Sequence, residues 1–78
     1  MNGKKEDENM PLTMTKVGES NSIKKVGGND KTRKFLESLG FVIGALVTVV
    51  SEMNGNIIVL IKSSRVALDK ELAMKILV

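Results

Sequence analysis

Apolar residues are scarce and scattered over the first third of the chain and dense between positions 41 and 61. The clearest pattern lies in Leu46–Glu52 (LVTVVSE) and Asn56–Lys62 (NIIVLIK), two runs rich in β-branched residues. Asn54-Gly55 between them tolerates the positive φ values of a type I′ turn, so the segment is predicted to be a tight β-hairpin. In the second run Ile57-Ile58-Val59-Leu60-Ile61 shows no polar alternation. That predicts a strand covered on both faces, by the core on one side and by another element or a partner on the other.

The flanking pattern is weaker but ordered. Residues 1–9 (MNGKKEDEN) have nothing to bury and are expected to form a disordered leader, leaving residues 10–78 as the domain. Leu12, Met14 and Val17 give some apolar anchoring, and Gly18 marks a turn. Ser20–Val26 is predicted to be one short strand running into a loop at Gly27-Gly28. Asn29 or Asp30 can cap a helix over 31–39, whose Phe35, Leu36 and Leu39 repeat at helical spacing. So short a helix needs tertiary support, which predicts that Phe35 and Leu39 pack on something larger. Gly40 suits the left-handed residue that ends a helix, and Gly44 marks a second turn. After the hairpin, Ser63-Ser64 is a predicted turn and Arg65–Leu68 a further strand. Asp69 can cap a second helix over 70–75 with Leu72 and Ile76 as its buried stripe, and Ile76–Val78 is an edge strand returning toward the N-terminal strand. These elements predict a mainly β fold, a small, partly open barrel of about five strands with two short helices.

Composition narrows what such a barrel can do. The chain has 78 residues, 42% of them hydrophobic, drawn from Val, Leu, Ile and Met, with two Phe and no Trp or Tyr. A domain of this size buries only about 60% of its unfolded surface, so its core is thin. No cysteine is present to staple it, which fits a reducing, cytoplasmic compartment. No apolar run reaches the roughly 20 residues of a membrane span, so the chain is expected not to insert in a membrane.

Chemistry is excluded on the same inventory. Histidine is absent, which removes the commonest general base and metal ligand; with cysteine absent too, zinc and copper sites in their usual forms are excluded. No catalytic residue, metal site or cofactor is expected, and the chain is not read as an enzyme. Asp69 and Glu71 are explained as a helix cap and its first-turn charge. Gly27-Gly28 lacks the Gly-Lys-Ser/Thr that completes a phosphate loop. The formal charge is +3, spread over scattered basic residues. With two Phe as the only aromatics there is no stacking platform for single strands, and stable nucleic-acid binding is not expected. What remains is a protein partner. Leu36, Phe41, Val42 and Ile43 are the expected docking face, with Arg33 and Lys34 at its rim. Weak self-association through open strand edges is left open, as are a nucleic-acid-binding barrel and a weak hard-cation site built of carboxylates alone.

The stretch Lys34-Phe35-Leu36-Glu37-Ser38-Leu39-Gly40-Phe41-Val42-Ile43-Gly44 resembles the Leu-x-x-Leu-Gly-(hydrophobic)-x-Pro-Gly signature of the FeoA family. The surroundings agree: Pro11-Leu12, Gly18, a Val-rich strand after Gly44, Arg65-Val66-Ala67-Leu68, and a closing Leu72-Ala73-x-x-Ile76-x-Val78. The likeness spans residues 10–78. One departure is Ile43, where the family commonly has proline, which implies a looser and more apolar turn. The resemblance implies an SH3-like barrel in the cytoplasm that assists prokaryotic ferrous iron uptake by docking on the GTP-binding membrane transporter FeoB. Similar domains end iron-dependent repressors, so a repressor-type regulatory module is the alternative it implies.

Overall fold

The computed structural model describes residues 9–78; the expected leader falls almost wholly outside them. Among the described residues six strands and two helices follow a 3-10 turn at Leu12–Met14. They are β1 (Ser20–Ser22), β2 (Lys25–Val26), α1 (Asp30–Ser38), β3 (Leu46–Met53), β4 (Asn56–Ile61), β5 (Ser64–Asp69), α2 (Lys70–Ala73) and β6 (Ile76–Leu77). The fold is mainly β, an SH3-like small barrel, with one strand more than the pattern predicted.

The β3–β4 hairpin is its centre. Asn54 and Gly55 have φ of 50° and 86°, both positive as a type I′ turn requires. Val47, Val49, Ile57, Val59 and Ile61 point inward and are buried; Leu46, Thr48 and Leu60 point outward. A bulge between Val49 and Ser51 leaves Val50 without a cross-strand partner and bends β3, helping the sheet to curl. The hairpin extends to a four-stranded sheet in the order β1-β3-β4-β5, while β2 and β6 form a separate pair.

Two expectations fail here for identifiable reasons. Ser20–Val26 is not one strand. Ile23 is buried between β1 and β2, and its N–H donates to Ala45 O at 2.9 Å, whereas the N–H of Lys24 donates to Leu77 O at 2.7 Å. The backbone therefore turns a corner at Ile23 and leaves β3 for β6. Nor is β4 covered on both faces: Ile58 is half-buried and Leu60 is 39% exposed. Its unbroken apolar run includes a solvent-facing side.

Smaller shifts follow. The turn after β4 is Lys62-Ser63, with φ of 49° and 66°, one residue earlier than predicted. Asp69 caps α2 by accepting from Leu72 N at 2.8 Å, as its position suggests. However, α2 closes after Ala73, and Ile76 is buried from β6 rather than from the helix. Beyond β6 the chain pairs with its own beginning. Met10 N donates to Val78 O at 2.9 Å, and Val78 N returns to Met10 O at 2.8 Å.

Candidate partner-binding surface

The segment linking α1 to β3 decides which residues a partner can meet. Asn29 opens α1 by accepting from Thr32 N at 2.8 Å. At the other end Gly40, with φ of 107°, donates to Glu37 O at 3.0 Å, and Phe41 N donates to Leu36 O at 3.1 Å. This crossed pair is a Schellman stop, whose usual companion is an apolar contact between the residues we find here as Leu36 and Phe41. Both are fully buried, at 0% exposure. The geometry thus uses the Leu-Gly-Phe signature to end the helix and to anchor it in the core.

The next four residues form a turn. Ala45 N donates to Val42 O at 3.0 Å, and Gly44 at the third position has φ of 93° while Ile43 before it does not have positive φ. That is a type II turn, which favours proline at the position of Ile43 and glycine at Gly44. Gly44 N also donates to Ile23 O at 2.8 Å, tying the turn to the corner between β1 and β2. The turn is therefore held firmly while presenting Ile43 at 73% exposure and Val42 at 37%.

The expected docking face is corrected accordingly. Leu36 and Phe41 belong to the core and offer no side chain to a partner. Val42 and Ile43 are exposed beside each other. Arg33 ion-pairs with Asp30 at 2.6 Å one turn back on α1, and Lys34 is exposed. Phe35, expected to pack inward, is half exposed, because the buried stripe of α1 runs through Leu36 and Leu39.

Residues that the pattern did not single out extend the surface. Leu46, exposed, begins β3 directly after the turn, and register places Thr48 opposite Leu60 on the same outer face. Ile58 and Ala67, then Leu60 and Arg65, are the next outward pairs. The stem of Lys62 lies over Gly40, where an added Cβ would stand 3.3 Å from its Cδ, so the Lys62 chain borders this surface beside the helix stop. The result is an apolar band of Val42, Ile43, Leu46 and Leu60 with Lys62 and Arg65 near it. The signal that would have found Leu46 and Leu60 is parity. Thr48 is the polar residue among Leu46–Val50, and the hairpin register sets it opposite Leu60.

Among the described residues no cavity opens, no cluster of three acidic side chains gathers in metal-binding range, and no helix is long and apolar enough to cross a membrane.

A family model for the FeoA domain matches residues 10–78. The chain belongs to the FeoA family. A protein of Methanocaldococcus jannaschii, whose name marks it as a candidate Fe(2+) transport protein A, is 37% identical over 68 residues, which is 87% of this chain and 83% of that one. The fold is similar to a crystal structure of an iron uptake regulatory protein (FeoA), with TM-score 0.81 and 25% identity over 90% of this chain and 95% of the other. A solution structure of the FeoA protein from Chlorobium tepidum gives TM-score 0.79 at 25% identity, over 86% of this chain and 66% of that one. A manganese-dependent transcriptional repressor matches in fold at TM-score 0.80 and 22% identity, with 90% of this chain covering 40% of the repressor. This FeoA-family chain is placed among ferrous iron transport accessory proteins, and the family signature quoted above coincides with the Schellman stop and the type II turn.

Proposed function

We propose that this FeoA-family chain is a non-catalytic cytoplasmic accessory of ferrous iron uptake that docks on the cytoplasmic part of the GTP-binding membrane transporter FeoB and modulates it. The observation that carries the reading is the apolar band Val42, Ile43, Leu46 and Leu60, exposed on a rigid turn and strand although a thin core could have used those side chains. Burial of a few such anchors is how a small interface gains most of its affinity. Membership in an iron transport family supports the choice of partner.

The test is titration of labelled protein with the soluble GTP-binding part of the transporter, followed by backbone amide shifts. Shifts should centre on residues 42–46 and 58–62. The Ile43→Ser and Leu46→Ser double variant should weaken binding at least fivefold, the factor that corresponds to about 1 kcal/mol at a contributing anchor. Its own thermal stability should change little, since both side chains face solvent. No shifts at high concentration, or shifts confined to the opposite side of the barrel, would remove the proposal.

A further inference from the structure

Among the described residues the four-stranded sheet ends on β5, which pairs with β4 alone. Its ladder is unbroken from Asn56↔Asp69 to Ile61↔Ser64, and it holds no Pro, Gly or bulge to blunt the edge. The two-residue Lys62-Ser63 loop makes Ile61 and Ser64 a hydrogen-bonded pair. Alternation then directs the backbone groups of Val66 and Leu68 to β4, and those of Arg65, Ala67 and Asp69 outward. Among the described residues, no hydrogen bond engages the backbone of Arg65 or Ala67 outside the β4 ladder. α2 follows β5 directly in the chain and contacts β5, β4 and the 3-10 turn.

We infer that β5 is a homotypic pairing edge, which joins a second copy of this chain in an antiparallel, two-fold arrangement centred on Ala67. The side-chain pattern selects both the occupant and the register. Strand Ser64-Arg65-Val66-Ala67-Leu68-Asp69 set against itself about Ala67 places Arg65 opposite Asp69 of the other copy, twice, and Val66 opposite Leu68. The outward-facing backbone residues all carry odd numbers, so the competing registers slide in steps of one such residue along the partner. Two of those bring Arg65 against Arg65 or Asp69 against Asp69, and the others leave both charges unmatched. Opposite charges directly across a strand pair favour the pairing, and like charges oppose it. Asp69 can serve both roles, because the α2 cap occupies its Oδ1 and leaves Oδ2 for the arginine. Arg65, Ala67 and Asp69 are all exposed among the described residues. Pairing would join two sheets into one of eight strands and set the two apolar bands on one continuous assembly.

Sedimentation of the full chain from micromolar to about 1 mM at low salt reads the outcome, that range being where weak homotypic contacts populate. The native chain should pass from monomer to dimer. Arg65→Asp, which sets two carboxylates against each other, should raise the dissociation constant at least tenfold. Ala67→Pro, which removes the N–H at the two-fold axis while that N–H bonds nothing among the described residues, should do the same. Circular dichroism of both variants should retain the native spectrum, showing that the fold is intact. A native chain that stays monomeric at 1 mM overturns the inference. So does a dimer that both folded variants form as tightly as the native chain.

Discussion

Ile43 occupies the second position of the type II turn, where the FeoA signature usually has proline, and its replacement can be worked through from the geometry. Three conditions for a harmless proline are met. Gly44 supplies the positive φ at the third position. No backbone hydrogen bond uses the N–H of Ile43, so none is lost. The side chain is mostly in solvent, so little packing goes with it. Under those conditions the gain comes from the unfolded chain, which loses conformations, and amounts to about 0.4–1 kcal/mol. For a domain of this size about 4–8 °C accompanies each kcal/mol, so Ile43→Pro should raise the melting temperature by about 2–8 °C. Thermal and urea unfolding should agree, with the urea slope unchanged because the surface exposed on unfolding is the same. A melting temperature that is unchanged or falls would refute the reasoning, since it would mean that the backbone at position 43 does not hold the φ that a type II turn requires.

Other outcomes follow from the same structure. Gly44→Ala meets no atom within 4 Å, so its cost is backbone strain alone, about 1–2 kcal/mol in urea unfolding. Phe41→Ala should lose about 3–5 kcal/mol and Leu36→Ala about 2–5, enough to unfold much of so small a domain, as far-ultraviolet circular dichroism would register; a loss under 1 kcal/mol for either would place it outside the core. Ser63→Gly relieves a left-handed serine with φ of 66° and should stabilise by about 1 kcal/mol, read from the urea midpoint. Asn29→Ala should cost about 1 kcal/mol by uncapping α1, whereas Asn29→Asp should cost almost nothing.

Local chemistry made some elements legible and long-range packing hid others. Asn54-Gly55, Gly40, Asn29 and Asp69 act in turns and caps that span only a few positions, Gly44 sits in such a turn between Val42 and Ala45, and the structure holds each in its expected role. The turn at Lys62-Ser63 lies one residue before the predicted Ser63-Ser64 because its positive φ values sit on residues that do not favour them. The corner at Ile23 was hidden for another reason. Its carbonyl accepts from Gly44, its N–H donates to Ala45, and its neighbour's N–H reaches Leu77, all of them partners far along the chain. The expected docking face illustrates the same division. Val42 and Ile43 were named for their apolarity along with Leu36 and Phe41, and only the first two are exposed. Leu36 and Phe41 were misplaced because apolarity alone does not tell a core side chain from an interface one, and the Schellman bonds that bury them are visible only in three dimensions. Leu46 and Leu60 required the register of β3 against β4.

The mutual pairing of Met10 and Val78 has a consequence for how such a domain travels among proteins. Its chain enters and leaves at adjacent points, so the barrel is a cassette that can be attached to another polypeptide without its strands being rearranged. The repressor in which the same architecture fills 40% of the chain is an instance of such use. The same adjacency means that joining Val78 to Met10 by a short linker and opening the chain at Asn54-Gly55 should leave the barrel's connectivity in space unaltered.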